Sequence, residues 1–198
     1  MVRVTASGWV RATWLGWLAG IPLIIVFALI GEAISIGGTQ VLVGLGMGTG
    51  VGLMQGRLLR GMLGSPAQWL WSCVVGLSAP FLVADIARAA GFSLPYALQV
   101  CVALGGLTAG LWQARLLRPH TTRSGRWVVA SLLGWLLAAA SAAAADSLPR
   151  TTALRGITGA LIYLGIIAAG GLGLGAVTGL AMGKMLPSTE GAHVPDSR

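Results

Sequence analysis

The sequence predicts an all-α membrane protein: six transmembrane helices arranged as three tandem helical hairpins, with glycine stripes on the even-numbered helices. Three observations carry this reading. The 198-residue chain is 56% hydrophobic and 9% charged, with a mean hydropathy of +0.83, whereas soluble domains carry about 25% charged residues. Six apolar runs, near 8–31, 40–60, 67–88, 97–118, 126–146 and 159–185, exceed the roughly 18 residues that separate a membrane span from a buried core helix. One pattern also recurs: Trp9 and Gly16, Trp69 and Gly76, and Trp127 and Gly134 are each seven residues apart, and each pair opens an apolar run. Such self-similarity marks a duplicated unit. The repeats cover about 8–60, 67–118 and 126–186 within one domain over 1–186. Residues 187–198 are polar and read as a disordered cytoplasmic tail.

The first run follows a short basic leader, and Gly31-Glu32-Ala33 has the form of a signal-peptide cleavage site. Residues 9–17 (WVRATWLGW) nevertheless match 127–135 (WVVASLLGW), which lie in mid-chain. The first run is therefore expected to remain as a helix. Cys73 and Cys101 sit near the starts of oppositely directed spans, too far apart along the bilayer normal for a disulfide. They read as small apolar packing residues.

Charge sets the expected orientation. Arg3, Arg11, Arg57, Arg60, Arg115, Arg118, Arg123, Arg126, Lys184 and Arg198 fall on one side of the six runs, and only Arg88, Arg150 and Arg155 on the other. By the positive-inside rule both termini are cytoplasmic, in a cell membrane of the bacterial inner-membrane type. Glu32, Asp85 and Asp146 fall on the outer side and cancel the three arginines there. The expected partners are membrane lipids, whose anionic cytoplasmic headgroups attract nearby Lys and Arg by about 1 kcal/mol each. A protein partner or a second copy of the chain is also compatible. Nucleic acid is not, because the charges are scattered over short interhelical loops.

The second run carries Gly44, Gly48, Gly52 and Gly56, the sixth Gly171, Gly175, Gly179 and Gly183, and the fourth Gly106, Gly110 and Ala114. A spacing of four keeps each set on one stripe, and small residues let helix backbones approach closely in lipid, where water no longer drives association. We expect these residues to be helix-packing positions. The three striped helices would meet near a pseudo-threefold axis with the odd helices outside, or each stripe would clasp the odd helix of its own hairpin. The outer connection over 146–155 is longer than its counterparts, since Gly110 to Gly179 is 69 residues and Gly52 to Gly110 is 58. It is the expected external recognition element.

All eight tryptophans (Trp9, Trp14, Trp17, Trp69, Trp71, Trp112, Trp127 and Trp135) fall in the half of their runs near the basic loops. The simpler reading is a one-sided aromatic belt at the headgroup boundary. The sharper one is a pocket for a pigment or hydrophobic ligand built from Trp14, Trp17 and Trp135.

Two even runs end alike, as GLMQGRLLR from Gly52 to Arg60 and GLWQARLLR from Gly110 to Arg118; the third ends GLAMGKML, with Met182 for the glutamine. Gln55 and Gln113 lie beside the glycine face and suit hydrogen bonds across a helix contact. Together with Arg57, Arg60, Arg115, Arg118 and Lys184 they are candidate contacts for lipid headgroups or an anionic ligand. The repeated GxxQxxxLR ends, as in Gly52 through Arg60, and the Trp-rich LGW segment at Trp127–Trp135 that follows a short basic loop resemble a group of uncharacterised bacterial six-span membrane proteins. That resemblance implies the six-span architecture and adds no catalytic residues.

Proton relays and most membrane catalysis need ionisable groups at depth, and the central third of each run has none. Asp85 lies at the outer boundary with Arg88 as its expected partner. His120 and His193 match no metal-ligand spacing, and LGLGAVTGLAMGK from Leu172 to Lys184 lacks the strand–turn–helix setting of a phosphate loop. We expect no cofactor, no metal and no enzyme. The leading expectation is a non-catalytic component that binds or assembles with others, and the alternative is a small channel or transporter for a neutral or lipidic solute.

Overall fold

The computed structural model describes residues 4–151 and 156–185. The expected tail, and part of the 146–155 connection, lie outside the described residues. Six helices follow in order: α1 (Ala6–Ala33), α2 (Val41–Leu63), α3 (Pro66–Ala89), α4 (Ala97–Leu117), α5 (Gly125–Thr151) and α6 (Gly156–Met185). Five of them are long and apolar enough to cross a membrane, and α2 falls short. Its 23 residues hold seven glycines together with Gln55, Arg57 and Arg60, which dilutes its apolarity relative to the other five.

The helices form a closed ring. Each packs on its neighbours in sequence, α6 packs back on α1, and α2 also grazes α4. The expected close packing of α2, α4 and α6 on a common axis does not occur: among the described residues the α6 backbone packs against neither α2 nor α4, and the three helices share only side chains in the core. Odd and even helices alternate around the ring instead.

The glycine positions explain this arrangement. A methyl group on Gly44 would lie 2.6 Å from Ser78 Cα, and one on Gly48 2.7 Å from Val74 Cα, both in α3. Real side chains do not approach backbone that closely, so α2 can seat on α3 at this depth only with glycine there. Gly52 and Gly56 continue the contact towards Leu70 and Pro66. Gly106 and Gly110 face Trp135 and Ser131 of α5, while Gly171, Gly175 and Gly179 face Trp17, Val10 and Ala6 of α1. Each set therefore packs on the helix that opens the next hairpin rather than on its own partner. The set on α6 has no later hairpin, and its partner is α1. Contact within a hairpin uses other glycines: Gly16 on Gly50 and Val51, Gly76 on Ala109, and Gly134 on Leu174. In lipid such close backbone approach gains dispersion and weak Cα–H···O contacts, which replace the hydrophobic drive available in water.

Two backbone sites that the helices leave open find partners on a neighbouring helix. Pro80 inside α3 has no N–H, so the Gly76 carbonyl loses its helical donor; Thr108 of α4 donates its hydroxyl to that oxygen at 2.5 Å. The start of α2 has no side-chain cap of its own. Asp85 of α3 supplies one, accepting from the Gln40 and Val41 N–H groups at 3.0 and 2.8 Å. Arg88 pairs with the same carboxylate at 3.0 Å, the partner expected from the spacing. At the α2–α3 turn Gly64 adopts φ 67°, a left-handed value that suits glycine.

Candidate functional site

The interior of the ring is layered from the end that carries Arg57, Arg60, Arg115, Arg118 and Lys184, called here the basic end. These five side chains are exposed. Just inside them the odd helices begin with the repeated tryptophans. Trp9, Trp69 and Trp127 are 0, 0 and 1% exposed. Their rings form a triangle with centroids 5.5, 5.6 and 5.8 Å apart. Two of the three pairs meet edge to face at 88° and 89°, the arrangement that the aromatic quadrupole favours.

Each indole N–H of the triangle is bonded to the neighbouring even helix. Trp69 donates to Gln55 Oε1 at 3.0 Å, Trp127 to Gln113 Oε1 at 2.8 Å, and Trp9 to Thr178 Oγ1 at 2.9 Å. An indole can only donate, so it fixes which way each amide points. The amide nitrogens then turn inward: Gln55 donates to Thr13 Oγ1 at 2.9 Å and Gln113 to Cys73 Sγ at 3.1 Å. Met182, in the place of a third glutamine, is fully buried, and Thr178 one turn earlier takes the Trp9 bond. Ser131, at the position of Thr13 and Cys73, donates instead to the Gly106 carbonyl at 2.8 Å. The sequence grouping of the glutamines with the arginines thus divides. Gln55 and Gln113 are 4% exposed with both ends of each amide engaged, so they do not reach headgroups. The arginines and Lys184 occupy the surface.

Above this layer lies a gap of about 10 Å³ bordered by Val51, Gln55, Cys73, Gln113 and Thr178. That is at or below the 10–15 Å³ needed to house one water. The next layer is Trp17, Leu77 and Trp135, eight residues beyond the triangle on each odd helix, with Met47 and Leu174 between them. The Trp17 and Trp135 rings are 6.0 Å apart. Trp17 and Trp14 donate to the Ile167 and Ala168 carbonyls of α6 at 2.9 and 3.2 Å.

This second layer is the floor of a cavity of about 260 Å³ that all six helices line. Its walls are aliphatic apart from Phe81. On α5 they are alanines, Ala138, Ala139 and Ala142, stacked between Trp135 and Asp146. Those small side chains leave the volume open. Asp146 and Tyr163, both exposed, stand at the far mouth and are the polar side chains of the lining among the described residues. A lateral groove of about 610 Å³ lies between α3 and α4, bordered by Pro80, Val83, Phe92, Cys101 and Leu104. A smaller polar pocket surrounds Asp85 and Arg88, and Gln40 Oε1, which lines it, has no bonding partner.

The one-sided tryptophan belt is largely corrected. Only Trp71 and Trp112, 56 and 38% exposed, face outward; Trp14 is half-buried and the other five are in the core. Tryptophan tolerates this because each core indole of the triangle, and Trp17, finds an acceptor inside the ring. Of the three residues of the ligand-pocket alternative, Trp17 and Trp135 line the cavity and Trp14 does not. Sequence reasoning missed Thr13 and Ser131 and read Cys73 only as a packing residue, although each lies four residues after a repeated tryptophan. It also missed Thr178 and the alanines of α5. Among the described residues no three His, Cys, Asp or Glu side chains converge. No family model, no curated protein and no solved structure matches the chain.

Proposed function

We propose that the chain is a non-catalytic multi-pass protein of a bacterial cell membrane, a ring of three equivalent glycine-striped hairpins that binds a guest rather than passing one through. The observation that carries this reading is the closed interior. The tryptophan triangle and the Trp17–Leu77–Trp135 layer lie one above the other with only about 10 Å³ between them, so the 260 Å³ cavity is blind at the basic end. A solute path would need both layers to part. The equivalence of the hairpins is supported by the matching roles of Trp9, Trp69 and Trp127 and of Gln55 and Gln113. On this reading α2 is a sixth crossing: both its flanks are occupied by crossing helices, so glycine can stand where apolar side chains would otherwise face lipid.

The basic end faces the cytoplasm, with Arg57, Arg60, Arg115, Arg118 and Lys184 against anionic headgroups. The alternative, a carrier for a small neutral or lipidic solute, draws on the cavity itself. Flux separates the two. Proteoliposomes holding the purified protein should leak glycerol and other small neutral solutes no faster than protein-free vesicles. Solute-selective flux that disappears in an Ala142→Phe variant would overturn the binding reading in favour of the carrier.

A further inference from the structure

We propose that the 260 Å³ cavity binds a single-chain aliphatic alcohol, tail down on the Trp17–Trp135 floor and hydroxyl at Asp146. This inference rests on the binding reading above and names its ligand class. The shape argues for one chain rather than a ring system or a two-tailed lipid. The cavity runs along one face of α5, from Trp135 past Ala138, Ala139 and Ala142 to Asp146, a rise of about 16 Å over eleven residues. An apolar cavity of about 150 Å³ takes the six carbons of benzene; in proportion, about 260 Å³ takes about ten carbons.

Polarity fixes the direction. The floor and walls offer aromatic and aliphatic carbon, and Asp146 and Tyr163 stand at the mouth. A tail seated the other way would place a hydroxyl against Trp17, Leu77 and Trp135. The Trp17 N–H is already spent on the Ile167 carbonyl, so that layer offers a hydroxyl at most the Trp135 N–H and no side-chain acceptor for its proton, and burying an O–H unbonded is costly. At the mouth the Asp146 carboxylate accepts a hydrogen bond from an alcohol, and the Tyr163 hydroxyl can give or take a second. The same carboxylate repels a fatty acid or a phosphate head, so the site selects a donor over an anion.

The test uses bromodecanol brominated at its chain end, with the whole purified protein in lipid nanodiscs and tryptophan emission as the readout. The expected result is saturable quenching that weakens when Trp17 and Trp135 are changed to phenylalanine. It should be lost in Ala142→Phe and, separately, in Val102→Phe, two variants that fill the cavity from α5 and from α4. Unchanged elution and thermal transition of either variant show that it folds. Bromine dissolved in the bilayer quenches outward-facing Trp71 and Trp112 without saturation and without response to these changes. That pattern alone would overturn the proposal while leaving the flux result, and the binding reading, intact. Bromodecanoate should bind at least about tenfold more weakly, the scale of one hydrogen bond to a charged group, and Asp146→Asn should narrow the gap. Equal binding of acid and alcohol to the unaltered protein would overturn the assignment of the head.

Discussion

Replacing each tryptophan of the triangle by phenylalanine, one at a time, separates packing from hydrogen bonding. The three side chains are equally buried, at 0, 0 and 1% exposed, and their centroids are 5.5, 5.6 and 5.8 Å apart. The loss of ring volume is therefore similar at all three; Trp9 takes part in both edge-to-face pairs and Trp69 and Trp127 in one each, but phenylalanine keeps a ring that can still meet its neighbours edge on. What differs is the acceptor left behind. Trp69→Phe strands Gln55 Oε1 in a dry layer, and Trp127→Phe strands Gln113 Oε1. Rotating either amide only exchanges an orphan oxygen for an orphan NH₂. Trp9→Phe leaves Thr178, whose hydroxyl still donates to the Leu174 carbonyl at 2.6 Å and loses only an accepted bond. An interhelical hydrogen bond in a membrane protein is worth about 0.6–1.7 kcal/mol, and a buried unsatisfied group costs about 1–3 kcal/mol. Trp69→Phe and Trp127→Phe should therefore each be less stable than Trp9→Phe by about 1–2 kcal/mol, a factor of roughly 5–30 in the folded-to-unfolded ratio. Reversible unfolding in mixed micelles, followed by circular dichroism, reads this difference. Equal costs at the three positions, or the largest cost at Trp9, would refute the hydrogen-bond account of the layer.

Two further outcomes follow from the same geometry. Thr178→Val should destabilise the protein by about 1–3 kcal/mol because the Trp9 N–H loses its acceptor, and adding Met182→Gln should recover part of that loss. Thermal denaturation in detergent of the single and double variants checks it, and no recovery would mean that Met182 does not occupy the place of a third glutamine. Gly48→Ala should cost about 1–3 kcal/mol, since its methyl meets α3 backbone at 2.7 Å. Gly183→Ala, whose methyl would meet nothing nearer than 3.8 Å among the described residues, should be neutral or stabilising by up to about 1 kcal/mol through helix propensity. The same unfolding assay distinguishes these.

Much of the fold was legible in the chain because long apolar runs mark helices, although only five of the six are long and apolar enough to cross a membrane and α2 falls short. The expected runs fall within a few residues of the six helices, and the Trp–Gly spacing marked where the odd helices begin. The direction each helix faces was not legible. Helices apolar on all sides have no moment to orient them, and tryptophan suits both a lipid boundary and a dry core with one acceptor. Trp69 and Trp71 illustrate this: two residues apart, one is fully buried and the other half exposed. A glycine stripe announces a close contact without naming the partner, so Gly171, Gly175 and Gly179 could not reveal that α6 returns to α1. The cavity was hidden for a similar reason. The alanines at 138, 139 and 142 read as ordinary apolar helix, and only their placement opposite the bulky side chains of the other five helices turns smallness into volume. The glutamines were half legible: their place beside the glycine face pointed to a helix contact, but nearby arginines drew them toward the headgroups.

Closure of the ring through α6 and α1 is the claim on which the layers, the floor and the cavity all depend, and a disulfide tests it directly. A Cβ on Gly183 would lie 3.8 Å from Ala6 Cβ, at the mean separation of about 3.8 Å found in disulfides. With Cys73→Ser and Cys101→Ala in the background, Ala6→Cys with Gly183→Cys should oxidise within one chain. A protease site placed between α4 and α5 then allows the linkage to be read on a gel. The account predicts that the two fragments stay joined until reductant is added; fragments that separate without it, or a link formed only between different chains, would contradict the closed ring.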